Sequence, residues 1–406
     1  MKNKSSLSLI FLTVFIDLLG FGILIPILPS FAVKELGVDE AAIGIAIAIY
    51  SFVQFLFNPI LGKISDKHGR KPVIVFCLFL NALGYVVFAY THSYIILLAA
   101  RVIAGIGGSS IGVAQAYIAD VTTRAERSKG MGLIGAAFGL GFVFGPLIGG
   151  LLSEYGYAVT GFAAAGFSFT AFVLTFIFLP ESLNLVKNKD GEGANSQRRK
   201  LIDFQAIRKI LKKPDLAVLI LLFFILTFSF ANIYGTFALL GIKVYGFTDR
   251  QNGYMFGIIG LTSAIVQGGM IGWINKILSK KKILIVASLL IMITLALIPF
   301  AGSFLGLSIV AVFLSYGTGT FQPTVLSLIS EVSSESEQGI TLGINQSLSS
   351  FARVLGPLWG GFAFEYLGYP FPFLTGAAFT SIIVIISIFY LPKKLKLDRR
   401  SKLKDV

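Results

Sequence analysis

Twelve apolar stretches, each about twenty residues long, decide what this chain can become. They fall at 7–29, 43–61, 73–91, 94–117, 129–153, 157–179, 216–240, 251–275, 283–301, 303–328, 340–365 and 370–391, bounded by charges or by Gly, Pro and Asn turns. A helix rises about 1.5 Å per residue, so about twenty apolar residues cross the roughly 30 Å of hydrocarbon in a bilayer. In hydrocarbon a spanning backbone must satisfy its own hydrogen bonds, which a helix does. The sequence therefore predicts an all-α integral membrane protein with twelve transmembrane helices. Its 38 Phe and 44 Gly fit that architecture, as bulk toward lipid and as sites of close helix packing. The first stretch follows Lys2 and Lys4, as a secretory leader would. It is long, carries Asp17 near its middle and lacks a small-residue cleavage pattern, so it reads as a retained helix.

Charge placement gives an orientation. Of the 34 Lys and Arg residues, all but five lie in the termini and alternate loops that share one face. Lys34, Lys243 and Arg250 take the opposite face, and Arg101 and Arg353 lie inside spans. By the positive-inside rule both termini are expected in the cytoplasm. A net charge of +14 distributed this way meets anionic lipid headgroups, not nucleic acid. The single cysteine, Cys77, excludes an internal disulfide, and with only His68 and His92 no metal site is expected. No nucleotide loop or nucleophile motif accompanies the spans, so neither a cofactor nor an enzyme is expected.

The two halves of the chain resemble each other. Asp120, the block Gly145 to Gly150 (GPLIGG) and Glu154-Tyr155 recur as Glu331, Gly356 to Gly361 (GPLWGG) and Glu365-Tyr366, each displaced by 211 residues. This predicts a bundle of six helices over 1–180, a linker over 181–215, a second bundle over 216–392 and a basic tail over 393–406. A short amphipathic helix is expected over 201–213 (LIDFQAIRKILKK). Even numbers of spans make the repeats parallel, and two such bundles can rock to expose a central cavity to either face. In the fifth span Gly135, Gly139, Gly141, Gly145 and Gly149 recur at helix-contact spacing, with Pro146 among them. Gly356 and Pro357 are the second-half counterparts of Gly145 and Pro146. Two roles are open for this stripe: close helix packing, and a bend that moves during transport.

The loop between the second and third spans reads GKISDKHGRKP, with Gly62, Asp66, Gly69, Arg70 and Lys71 as its marked positions. Gly69 and Pro72 favour a tight turn, and Asp66 with the basic residues can bond adjacent helix ends. Here the chain resembles the major facilitator superfamily, and more narrowly its twelve-helix drug:proton antiporters of the tetracycline-efflux type. The loop is similar to that family's signature. Arg101 to Gly107 (RVIAGIG) is similar to its fourth-helix pattern, Gly141 to Gly150 (GFVFGPLIGG) to its fifth-helix motif, and Asp17 to Pro29 (DLLGFGILIPILP) to its first-helix pattern. The resemblance implies two pseudo-symmetric six-helix bundles in a bacterial-type inner membrane, functional as a monomer. It implies proton-coupled export of a small amphipathic substrate, with protons and lipids as the other partners. A transporter of a specific metabolite, sugar or lipid is one alternative. A receptor or scaffold that moves nothing is another.

Ionisable groups inside the spans carry the candidate chemistry. Asp17, about ten residues into the first span, would cost on the order of 3 kcal/mol to bury and should face the bundle or a wet cavity. It is a candidate for proton or cationic-substrate coupling, for a structural hydrogen-bonded acid, or for a simple interior polar contact. Arg101 keeps its proton and so supplies either a fixed field for coupling, as the resemblance implies, or a clamp on the fourth helix. Arg353 would attract an anionic or zwitterionic substrate, or close an interior salt bridge. Gln54, Asn58, Gln115, Asn232, Tyr234, Gln267, Gln322, Asn345 and Gln346 are candidates for a mixed polar cavity. Asp120 and Glu331, equivalent in the repeat, are expected to pair with loop cations such as Arg70, Lys71 or Arg124 and hold a gate. The second-half loop reads WINKILSK, with Lys276 and Lys280 as its cations.

Overall fold

The fold was obtained as a computed structural model that describes residues 2–122, 124–182, 208, 210–333 and 337–391. The linker helix expected over 201–213 falls largely outside these residues, and the basic tail over 393–406 wholly outside them. Twelve long helices occupy the expected stretches. They are α1 (Lys2–Lys34), α2 (Glu40–His68), α3 (Arg70–Ala89), α4 (Tyr94–Val121), α5 (Arg124–Leu152) and α6 (Tyr157–Phe178) in the first half. In the second half they are α7 (Pro214–Lys243), α8 (Asp249–Ile277), α9 (Lys280–Leu297), α10 (Phe304–Val332), α11 (Gln338–Tyr366) and α12 (Phe371–Phe389). Eleven of them are long and apolar enough to cross a membrane. The twelfth is α11, as long as α2 but carrying Asn345, Gln346, three serines and Arg353.

Three helices are irregular inside their spans. α4 breaks at Gly108 and Ser109, α7 at Asn232, and α8 widens into a π-helical turn over Val266–Met270. Two compact units result: Met1–Asp203 with Gly241–Gly257, and Phe204–Leu240 with Ile258–Val406. Within the first, α1 packs along α5 and α6, and α3 along α4 and α6. Within the second the same pairings recur, α7 with α11 and α12, and α9 with α10 and α12.

Glycine sets the closest of these approaches. A Cβ on Gly145 would lie 2.6 Å from the Gly22 Cα, and one on Gly141 2.8 Å from the Leu18 Cβ. Gly149 meets the Ile23 carbonyl. In the second unit Gly356 sits where a Cβ would be 2.8 Å from Ala231 and from the Asn232 amide, and Gly360 meets Asn232. The 211-residue repeat thus preserves one contact, α5 on α1 and α11 on α7. Gly135 differs from its neighbours in the stripe: no atom lies within 4 Å of a Cβ built there. It takes no part in that contact.

Candidate functional site

α1 is apolar for most of its length, and its interior acid is boxed in by other helices. Asp17 is 5% exposed. Asn81 of α3 donates its Nδ2 to both carboxylate oxygens, at 2.9 and 3.1 Å. Ser110 of α4 donates to Oδ2 at 3.2 Å, and Ser168 of α6 to Oδ1 at 3.1 Å. No lysine or arginine among the described residues pairs with the carboxyl. The charge is met by three neutral donors from three helices, inside the first unit. A carboxyl held this way can gain or lose a proton without breaking an ion pair.

The break in α4 builds part of the box. Ser110 opens its second segment. The break frees the Gly108 carbonyl, and Gln54 of α2 donates to it at 2.8 Å, as backbone within a membrane requires. Gly107 passes so close to Asn81 that any side chain there would strike the amide.

Arg101 lies in the same unit but is tied to α2. It is 7% exposed, donates from Nε to the Ala46 carbonyl at 3.3 Å, and holds its guanidinium 4.6 Å from the Tyr50 ring centroid. No carboxylate among the described residues pairs with it. Tyr85, buried on α3, lies in the electrostatic field of both Asp17 and Arg101 and is the group that links them. In the second unit Arg353 donates to Ser350 Oγ at 2.9 Å and lies within electrostatic reach of Tyr234.

The cavity candidates separate by environment. Gln115, Gln267 and Gln346 are exposed, while Gln54, Asn58, Tyr234 and Gln322 are half-buried. Asn232 and Asn345 are buried inside the second unit, at 1% and 2% exposure. Asn232 donates to the Pro372 carbonyl, so it fastens α7 to the start of α12 at the break in α7. Gln267 sits in the π-helical turn of α8, a feature often found at functional sites.

The signature loop folds as a tight electrostatic knot. Gly69 joins α2 to α3 with φ +107°, a conformation that side chains rarely adopt. Arg70, 8% exposed, bonds Asp66, Ser65 Oγ at 2.7 Å and Asp120 Oδ2 at 2.9 Å. Glu181, which the sequence gave no reason to single out, accepts the backbone N–H groups of Arg70 at 2.9 Å and Lys71 at 3.1 Å. It therefore caps the N-terminus of α3 from beyond the end of α6. The second unit has a simpler version in which Lys280 bonds Glu331 and Ser327 Oγ. The Arg124 side chain lies outside the described residues.

A third polar cluster occupies the opposite end of the first unit. Asp249, in the first turn of α8 and 9% exposed, accepts Ser30 Oγ of α1, Tyr157 Oη of α6 at 2.8 Å and Lys34 Nζ at 3.2 Å. Lys243 pairs with Glu40, and Arg250 with Glu154 at 3.3 Å. All three cations assigned to that face are thus paired with acids. The one signal in the sequence was their scarcity, since a face with three cations leaves few choices of partner.

Comparison with known proteins follows this geometry. A sequence profile described as Major Facilitator Superfamily matches residues 10–302 and 268–405. The chain is 26% identical over 393 residues to "Multidrug resistance protein 2" of Bacillus subtilis (strain 168), covering 95% of this chain and 94% of that protein. It is 30% identical over 361 residues to "Tetracycline resistance protein, class E" of Escherichia coli, covering 87% and 86%. Among solved structures, the human organic anion transporter MFSD10 (TETRAN) superposes with a TM-score of 0.70 at 26% identity, covering 95% of this chain and 100% of that one.

Proposed function

The chain belongs to the Major Facilitator Superfamily, and we propose that it is a proton-coupled secondary exporter of amphipathic small molecules that works by alternating access. It is a multi-pass membrane transporter rather than an enzyme. The observation that carries the proton-coupled reading is Asp17, an interior carboxyl with neutral hydrogen-bond partners on three helices and no ion pair. In the cycle, the protein open to the cytoplasm binds substrate as Asp17 gives up its proton, reorients, and exchanges substrate for a proton outside. Arg101 supplies a fixed positive field, passed to Asp17 through Tyr85. Arg70 with Asp120, and Lys280 with Glu331, hold the cytoplasmic ends of their helices through the cycle. A potential of 100 mV adds about 2.3 kcal/mol for each full charge moved, so charge stoichiometry counts alongside the pH difference. The working unit is a monomer in a bacterial-type inner membrane with both termini in the cytoplasm.

Purified protein in sealed liposomes tests this directly. Substrate added to one side should move protons across the membrane, and an imposed pH gradient should move substrate. Asp17→Asn should abolish the coupled proton movement while leaving substrate binding measurable. No substrate movement under a pH gradient, and no proton movement on adding substrate, would sink the antiport reading.

Arg353 favours a second reading, export of an anionic or zwitterionic molecule. A guanidinium within a membrane span holds its charge in any conformation, and the structurally similar human MFSD10 is described as an organic anion transporter. Competition among an anionic, a neutral and a cationic ligand of one shape would separate the two. Loss of the anion's advantage in Arg353→Gln supports the second reading.

A further inference from the structure

We propose that Asn81 is the positioning residue that keeps Asp17 hydrogen-bonded in both protonation states, its side-chain amide turning end for end as the carboxyl takes up a proton. The inference rests on the reading that Asp17 carries the coupling proton, and it begins from a mismatch at the site. Asp17 only accepts: Asn81, Ser110 and Ser168 all donate to it. That set suits an ionised carboxylate. A protonated carboxyl carries an O–H that must itself find an acceptor.

An acceptor is present and idle. Asn81 is 2% exposed, and its Oδ1 is buried with no hydrogen-bond partner. Buried carbonyl oxygens are rarely left unmatched, because each one forfeits its hydration without compensation. The orphan lies on the side chain whose nitrogen already touches both oxygens of Asp17. Rotation about the Cβ–Cγ bond exchanges oxygen for nitrogen without changing the shape of the side chain. The close passage of Gly107 leaves the amide a slot with no side chain opposite it.

The proton balance is simple. A proton arriving at one oxygen of Asp17 forms an O–H bond, and that hydroxyl donates to Oδ1 of the turned amide. Ser110 and Ser168 keep their bonds to the carboxyl, and Asn81 carries no proton of its own. Departure of the proton reverses each change. The ionisable neighbours are few. Cys77 and Tyr85 flank Asn81 one turn away on α3, and both lie in the field of Asp17. Arg101 of α4 and Tyr50 of α2 act on Tyr85. α5 from Gly130 and α6 from Ala158 contain no ionisable side chain.

The test follows protonation of Asp17 without asking for transport. Dicyclohexylcarbodiimide modifies carboxyls in apolar surroundings when they are protonated, and mass spectrometry of the full-length protein in detergent reads the extent at Asp17 across a pH series, with Asp17→Asn as the zero. Asn81→Leu keeps the branched shape and removes donor and acceptor together. It should move the midpoint of labelling by about one pH unit, the scale of one hydrogen bond to a charged group. Asn81→Ser is smaller but both donates and accepts, and should return the midpoint toward that of the wild type. A residue serving only to pack would produce the opposite order, with leucine nearer wild type than serine. That order, or a midpoint unmoved by leucine, overturns the inference while leaving the exporter reading intact. Labelling of wild-type Asp17 that does not vary with pH overturns the inference together with the choice of Asp17, and leaves export itself to the flux experiment.

Discussion

Asp17 was legible in the sequence as an acid in the wrong solvent, but its partners were not. Asn81, Ser110 and Ser168 lie 64, 93 and 151 residues away along the chain. Serine in a transmembrane helix is too common to mark a site, and only packing selects these two. Glu181 was hidden for a different reason, since one exposed acid at the edge of a polar linker looks like solvated surface. Its bonds to two backbone N–H groups give it a structural duty that can be measured. Glu181→Ala should lower stability by about 1 kcal/mol, the usual worth of a helix cap, read as a reduced melting temperature in detergent. Arg101 shows the limit of motif reading. Its position matched a pattern, yet the structure ties it to Ala46 and Tyr50 of α2 with no acid attached.

At the level of helices the sequence spoke most clearly, because length and apolarity are properties of single segments. Eleven helices meet both criteria, and the even count came from the repeat as much as from hydropathy. The breaks in α4 and α7 and the π-helical turn in α8 went unread, since each depends on a neighbour that satisfies the loosened backbone. The glycine stripe of α5 was read as one contact surface, and it divides. Gly145→Leu should force α1 and α5 apart and cost about 1–3 kcal/mol, the usual range for overpacking. Gly135→Ala meets open space and gains helix propensity, so it should leave the melting temperature unchanged or raised. Equal losses for the two would contradict the packing described.

For the molecule as a whole, the repeat and the compact units divide the chain differently over one short stretch. Gly241–Gly257 comes from the second sequence repeat and packs within the first unit. Asp249 anchors it, through Ser30, Lys34 and Tyr157, and Gly253 adds a close contact, its Cβ position 2.6 Å from the Pro146 carbonyl. Asp249→Asn keeps the shape and removes the charge from Lys34. Amide exchange over 241–257 should then accelerate at least tenfold, about 1.4 kcal/mol in local opening, and unchanged exchange would show that the glycine contacts suffice. Hydropathy cannot foresee such an anchor, because it is made by charges at helix ends. The polar character of α11 bears on how the chain is made. A ribosome delivers helices in order, and a segment holding Asn345, Gln346 and Arg353 partitions poorly into lipid on its own. α7 is by then already in place, with Asn232 and Ala231 set to receive Gly356 and Gly360. α11 should therefore integrate poorly when fused alone to a glycosylation reporter and well when α7 to α10 precede it, making its entry into the bilayer an act of assembly.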